Sequence, residues 1–190
     1  MTLANEITIA RILLIPVFVL FAIYYGRSLE QGAPEEWLRL ASIIVFIVAS
    51  VTDLLDGWVA RKFSQPSRLG AVLDPIADKG LLLTAIITLT FSKWTYAFPL
   101  WFLVLVIARD AVILLGCALV KYLSGKLEVH PSLLGKMATA FQMIAIAWVM
   151  LQLPYHVYPI YVAGAATLLS GLGYVLDGAA QLRHHDKPHA

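Results

Sequence analysis

The chain has 190 residues, of which 60% are hydrophobic and 14% charged, and its mean hydropathy is +0.80. Soluble domains carry about 25% charged residues, so this composition predicts an integral membrane protein. The net charge of +2 is too small to indicate a nucleic-acid partner. The single cysteine, Cys117, lies in an apolar stretch, which excludes a disulfide within the chain and favours a small buried hydrophobic side chain.

Six apolar stretches follow one another along the chain, each about long enough to cross a ~30 Å hydrocarbon core. They are Ile7–Tyr25, Leu38–Ala60, Ala71–Phe91, Phe98–Tyr122, Leu134–Leu153 and Val157–Leu176. The first superficially resembles a signal peptide, but it has no A-x-A cleavage site and is interpreted as a retained span. We therefore predict an all-α integral membrane protein, with six transmembrane helices around a polar cavity that faces the cytoplasm. Residues 1–190 are expected to form one domain with a short polar tail at 181–190.

The basic residues predict the orientation of these spans, because cytoplasmic loops are enriched in Lys and Arg. With the amino terminus inside, the cytoplasmic side carries Arg11, Arg61, Lys62, Arg68, Lys79, Lys121, Lys126, Lys136, Arg183 and Lys187. The outer side carries Arg27, Arg39 and Lys93, and Arg109 lies in mid-span. The asymmetry predicts a multi-pass membrane protein in which residues 53–78 lie at the cytoplasmic face.

Four carboxylates lie inside sequence that is otherwise apolar enough for a bilayer: Asp53, Asp56, Asp74 and Asp78. Spacings of three and four place each pair on one helix face. A loop over 62–69 lets the two helices lie antiparallel, so that both pairs can converge near one level. Four like charges in a poor solvent are costly, and a divalent cation offsets that cost. Hard oxygen ligands favour Mg²⁺, Mn²⁺ or Ca²⁺.

Residues beside the carboxylates suit a phosphate-bearing ligand. Mg²⁺ is usually held by few carboxylates together with substrate phosphates. Gly57 and Gly70 present no side chain and allow close approach of a bulky group. Arg61, one turn beyond Gly57, is placed to meet a phosphate. Ser67, in the intervening loop, could cap the next helix or donate to the ligand.

Polar residues in the first span allow two interpretations. Asn5, Thr8 and Arg11 are spaced by three and share a helix face. The face could be an interfacial helix start from which Arg11 reaches the lipid head groups. Alternatively, it could close over a bound ligand. Trp94, between the third and fourth stretches, is expected to anchor the chain at the membrane interface.

Three features of the second half are also ambiguous. Arg109 in mid-span could form a local or interhelical ion pair, or bind an anionic ligand, since charges at this depth face the bundle interior. Lys136, where a helix re-enters the membrane, could reach lipid phosphates or a phosphorylated substrate. Small residues at 163, 167 and 171 permit close helix packing, within the chain or in a dimer.

The pattern D-x2-D-G-x2-A-R-x8-G-x3-D-x3-D over residues 53–78 resembles the signature of the CDP-alcohol phosphatidyltransferase family at every fixed position. Members of that family transfer a substituted phosphate from a CDP-linked donor to an alcohol and release CMP. The resemblance implies a homodimer and a pair of Mg²⁺ or Mn²⁺ ions held by Asp53, Asp56, Asp74 and Asp78, with Asp78 also the general base. It implies a donor pocket formed by Gly57, Ala60, Arg61 and Gly70, with Asn5, Thr8 and Ser67 at its edge.

Other stretches resemble the bacterial branch that uses CDP-diacylglycerol and sn-glycerol 3-phosphate. They are the opening around Arg11, Ala71–Lys79, the Ala-Arg-Asp at 108–110 and Ser132–Lys136. Arg109 and Lys136 would then bind the acceptor phosphate. Asp110 departs from the Glu expected at that position. Inositol phosphate, serine and phosphatidylglycerol remain alternative acceptors, and prenyl transfer or divalent-cation transport remain alternative functions. The Gly57-x2-Ala60-Arg61 segment and Gly70 disfavour prenyl transfer.

Overall fold

The computed structural model describes the backbone of residues 3–63, 70–124 and 133–185, and the side chains of residues 8–52, 79–116, 118 and 133–177. Over these ranges the chain forms six helices and no strand. They are α1 (Leu3–Glu30), α2 (Glu36–Phe63), α3 (Gly70–Phe91), α4 (Leu100–Ser124), α5 (Leu133–Met150) and α6 (Val157–His185). The prediction of an all-α membrane protein is confirmed, with one helix for each apolar stretch.

Three segments of the described residues are long and apolar enough to cross a membrane: Thr8–Glu30, Leu133–Met150 and Val157–Asp177. A further apolar segment, Lys79–Phe91, is shorter. Large aliphatic side chains also lie on the outside of the helices, including Leu13, Leu114 and Leu115, which are 63%, 64% and 71% exposed. Soluble proteins rarely expose so many large apolar side chains, so the outer faces of these helices suit hydrocarbon.

The helices form two compact units. The N-terminal unit comprises Met1–Phe98 with Val149–Leu153, and the C-terminal unit comprises Pro99–Trp148 with Pro154–Ala190. In the N-terminal unit, α1 packs against both α2 and α3. Pro16 lies inside α1; prolines are tolerated in membrane helices because neighbouring groups satisfy the freed backbone carbonyl.

Aromatic contacts define how α2 lies on α1. The ring centroids of Phe18 and Phe46 are 5.9 Å apart, and those of Phe21 and Trp37 are 6.1 Å apart. Residue numbers rise along α1 as they fall along α2, so the two helices are antiparallel.

Two glycines define the packing of α3 on α1. A Cβ added at Gly80 would lie 3.6 Å from Cδ1 of Ile15, and a Cβ at Gly26 would lie 3.5 Å from Cβ of Ser92. Residue numbers rise together along both helices, so α1 and α3 run parallel.

Hydrogen bonds fix the end of the N-terminal unit that is remote from residues 53–78. The Tyr25 hydroxyl donates to Oε1 of Glu36 at 3.3 Å and accepts from Nε2 of Gln152 at 2.9 Å. The indole of Trp94 donates to the carbonyl of Ala22 at 2.9 Å. Trp94 is 5% exposed, so the prediction that it anchors the chain at the membrane interface was wrong. Its N–H is satisfied inside the protein instead.

In the C-terminal unit, α4 packs against α6, and the stripe of small residues on α6 is used within the chain. Ala163 and Thr167 are fully buried. The Thr167 hydroxyl donates to the carbonyl of Ala163 at 2.7 Å and accepts from Nε2 of Gln142 on α5 at 2.9 Å. Beside them, a Cβ at Gly164 would lie 2.9 Å from Cζ3 of Trp101 on α4. Small residues therefore let α4 approach α6 closely, which is the internal alternative of the two that the sequence allowed, and α5 reaches α6 through the side chain of Gln142.

Candidate functional site

The helical positions of the first two aspartates lie opposite the start of α1. The contacts of Phe18 with Phe46 and of Tyr25 with Glu36 set the antiparallel register of α1 and α2. Continued toward the amino end of α1, this register places positions 53 and 56 level with positions 5 to 11. Both helices extend through these positions.

The helical positions of the other two aspartates lie at the same level. Gly80 is level with Ile15, and Gly26 is level with Ser92, in the parallel register of α1 and α3. Positions 74 and 78 of α3 are therefore level with positions 8 to 13 of α1. All four positions fall within about two turns of one another along the axis of α1. The backbone thus agrees with the prediction that both pairs converge near one level, while the four side chains lie outside those the structure describes.

The part of α1 at this level carries two buried polar side chains, Thr8 and Arg11, each 1% exposed. Protein covers the Arg11 side chain, so the interpretation in which it extends to lipid head groups was wrong. A buried guanidinium is costly unless polar or anionic groups surround it. Its position, level with four acidic residues, therefore makes Arg11 part of the candidate site. The sequence pattern left this open, because a basic residue near a helix start can face lipid or protein.

The set of donors fits a divalent metal ion. Four carboxylates on helices that both pack on α1 offer the hard oxygen ligands that Mg²⁺ and Mn²⁺ prefer. Elsewhere among the described side chains, no group of three His, Cys, Asp or Glu could hold a metal ion. Asp53, Asp56, Asp74 and Asp78 therefore remain the candidate ligands.

For most residues predicted to bind the donor, the structure describes the backbone only. Thr8 is the exception, and it is buried on α1. Asn5 lies in α1, Gly57, Ala60 and Arg61 lie in α2, and Gly70 is the first residue of α3. Their side-chain surroundings, and Ser67 altogether, lie outside the described residues.

Arg109 on α4 is held by residues of its own helix and of α6. Its side chain is 9% exposed. Nη1 donates to Oδ1 of Asp110 at 2.8 Å, and Nη2 donates to Oγ of Ser170 at 2.9 Å. Cζ lies 5.9 Å from the centroid of the Tyr174 ring, within cation–π range. The absence of a side chain at Gly171 leaves room for the aliphatic part of Arg109, because a Cβ there would lie 3.4 Å from Cγ of Arg109.

The local ion pair that was one of the two interpretations of Arg109 is therefore present, but it does not use every donor. Nε of Arg109 is buried and has no hydrogen-bond partner among the described residues. A buried N–H without a partner costs about 1–3 kcal/mol. This donor, on a guanidinium held in one orientation, supports a further polar ligand.

Lys136 lies in the first turn of α5, and its side chain is exposed. It follows Gly135, which is buried. Both interpretations of Lys136, contact with lipid phosphates and contact with a phosphorylated substrate, remain open.

A surface groove of about 570 Å³ lies between the last turns of α1 and the start of α2, and includes Tyr24, Arg27 and Trp37. It contains none of the predicted site residues. The groove is at the opposite end of α1 from Thr8 and Arg11, so it is not part of the candidate site.

The comparisons with known proteins identify the class. The model of the CDP-alcohol phosphatidyltransferase family matches residues 1–175. The chain belongs to this family and is a transferase enzyme, as its signature over residues 53–78 indicated. The family is generally dependent on a divalent metal ion.

Particular relatives are similar over nearly the whole chain. The CDP-diacylglycerol–glycerol-3-phosphate 3-phosphatidyltransferases of Escherichia coli (strain K12) and Shigella flexneri are each 34% identical to it over 183 residues. These alignments cover 93% of this chain and 94% of each relative. The similarity therefore extends over most of the chain, and so over parts of both units.

Proposed function

We propose that this enzyme transfers the phosphatidyl group of CDP-diacylglycerol to sn-glycerol 3-phosphate, releasing CMP and forming phosphatidylglycerol phosphate. The observation that carries the proposal is the 34% identity over 93% of the chain to relatives named for this reaction. The product would be the precursor of phosphatidylglycerol in bacterial phospholipid biosynthesis.

The reaction is a displacement at phosphorus. A hydroxyl oxygen of glycerol 3-phosphate attacks the phosphorus bonded to the diacylglycerol, the bond from that phosphorus to CMP breaks, and CMP leaves with the electron pair. Asp78, if left partly free of metal, accepts the hydroxyl proton as general base. Asp53, Asp56 and Asp74, with Asp78, would hold a pair of Mg²⁺ or Mn²⁺ ions. Such ions neutralise the diphosphate and stabilise the leaving CMP.

In the donor pocket, Gly57, Ala60 and Gly70 would allow the cytidine diphosphate to approach the helices closely, and Arg61 would contact phosphate. Asn5, Thr8 and Ser67 would line its edge. The burial of Thr8 and Arg11 at the level of the four aspartate positions supports this assignment. The acyl chains would stay in the bilayer while the head group reacts.

The acceptor would be recognised by its phosphate. Arg109 offers a delocalised positive charge and a buried Nε–H that has no hydrogen-bond partner among the described residues, both suited to a phosphate oxygen. Lys136 would supply a second positive charge from an exposed position. A neutral acceptor such as serine would not use these charges, whereas inositol phosphate would, so these residues alone do not separate the two phosphorylated alcohols.

The location is proposed from the charge asymmetry and the apolar outer surface. Ten of the 14 basic residues fall on the side predicted to be cytoplasmic, which supports an inner-membrane protein whose active site opens to the cytoplasm. We also propose that the enzyme acts as a homodimer, as the family resemblance implies.

The proposal is tested by CMP release from CDP-diacylglycerol by the purified protein in detergent. The acceptors are glycerol 3-phosphate, inositol phosphate, serine and phosphatidylglycerol, each with Mg²⁺ or with EDTA. Metal-dependent release with glycerol 3-phosphate alone is the expected result. Release with another acceptor would support phosphatidyl transfer but refute glycerol 3-phosphate as the acceptor. Release with none of them would refute these acceptors or CDP-diacylglycerol as the donor.

A further inference from the structure

Helix α6 contributes two residues, Ser170 and Tyr174, to the surroundings of Arg109. Ser170 is 1% exposed, and its Oγ accepts a hydrogen bond from Nη2 of Arg109 at 2.9 Å. We propose that Ser170 is a positioning residue that orients Arg109 toward the phosphate of the acceptor. This inference rests on the proposed function and assigns to α6 a role in recognising the acceptor.

The contacts of Arg109 hold the guanidinium from two helices. Asp110, on its own helix, binds Nη1, and Ser170 on α6 binds Nη2. The Tyr174 ring, four residues beyond Ser170 on the same helix face, lies near Cζ. An arginine side chain is otherwise flexible, so binding a phosphate would require ordering it first. Contacts already made in the folded protein remove that cost.

The two partners of Arg109 differ in charge. Asp110 offsets the guanidinium charge, and its own side chain is 22% exposed and therefore partly solvated. Ser170 is neutral, so it fixes the second terminal nitrogen without adding negative charge. A second carboxylate in place of Ser170 would make the local net charge negative and would repel a dianionic phosphate. A neutral hydroxyl at this position is therefore compatible with phosphate binding.

The central variant is Ser170→Ala, with Michaelis constants measured for glycerol 3-phosphate and for CDP-diacylglycerol in mixed micelles. We expect KM for glycerol 3-phosphate to rise about two- to tenfold, the range for loss of one hydrogen bond. KM for CDP-diacylglycerol and kcat should change less than twofold. Ser170→Thr keeps the hydroxyl and should restore most of the affinity for glycerol 3-phosphate.

A matched control lies one turn earlier on α6. Thr167 is equally buried and its hydroxyl also forms an interhelical hydrogen bond, but with Gln142 rather than Arg109. Thr167→Ala should lower the melting temperature without changing the ratio of the two Michaelis constants. If Ser170→Ala does not fold, Ser170→Cys keeps similar volume with a weaker acceptor and should show the same selective rise.

The possible results separate the two proposals. A Ser170→Ala or Ser170→Cys enzyme with unchanged KM for glycerol 3-phosphate would overturn the positioning role. Equal rises in both Michaelis constants would do the same, because they indicate a general loss of structure. A wild-type enzyme whose CMP release does not depend on glycerol 3-phosphate would overturn the proposed function itself.

Discussion

Replacement of Gly164 by alanine tests the packing of α4 against α6. The added Cβ would lie 2.9 Å from Cζ3 and 3.0 Å from Cη2 of Trp101, whereas carbon atoms pack best at about 3.5–4.0 Å. The Trp101 ring cannot move freely, because it stacks on Tyr161 with centroids 5.4 Å apart. Overpacking of this kind costs about 1–3 kcal/mol of the free energy of unfolding.

Gly116→Ala on α4 is the matched control, because no atom of the described part of the chain lies within 4 Å of its added Cβ. Both variants gain the same helix propensity, about 0.5–1 kcal/mol, so the difference between them reports the clash. In a chain of this size 1 kcal/mol corresponds to about 2–4 °C in melting temperature. The Gly164→Ala protein should therefore melt about 2–12 °C below Gly116→Ala in the same detergent. Equal melting temperatures would refute the close approach of α6 to Trp101.

Four further predictions concern the site and its support. Asp78→Asn should abolish CMP release while sparing CDP-diacylglycerol binding, and full activity would exclude Asp78 as the base. Arg109→Ala should raise KM for glycerol 3-phosphate about 10- to 100-fold, since a hydrogen bond to a charged group is worth about 1.5–3 kcal/mol; an equal rise for the donor would make Arg109 structural. Gln142→Leu removes a buried hydrogen bond of 2.9 Å and should lower the melting temperature by about 2–4 °C with unchanged KM values, whereas a selective change in one KM would contradict this assignment. EDTA should stop CMP release and added Mg²⁺ should restore it, whereas activity that survives EDTA would contradict a metal site.

The positions of the helices could be predicted from the sequence because each apolar stretch is about as long as the hydrocarbon core is thick. The helix ends were less predictable. The first helix ends at Glu30 and the last at His185, beyond the predicted ends at Tyr25 and Leu176. Hydropathy reports where a chain leaves the hydrocarbon core, whereas a helix continues into the polar region while its backbone hydrogen bonds remain favourable.

The environment of buried polar side chains could not be predicted, because it depends on residues remote in sequence. The indole N–H of the buried Trp94 donates to the carbonyl of Ala22, 72 residues away. Arg109 is oriented by Ser170, 61 residues away. Neither partner belongs to a recognisable motif. By contrast, the four aspartates follow a local spacing on two helices, and local spacing is what a single sequence displays.

The most direct test of the account is the transfer of labelled glycerol 3-phosphate into lipid. The purified enzyme is incubated with CDP-diacylglycerol, Mg²⁺ and labelled glycerol 3-phosphate, and the chloroform-soluble product is identified by mass. We expect phosphatidylglycerol phosphate in an amount equal to the CMP released, and none from Asp78→Asn. CMP release without labelled lipid, or the same product from Asp78→Asn, would contradict it.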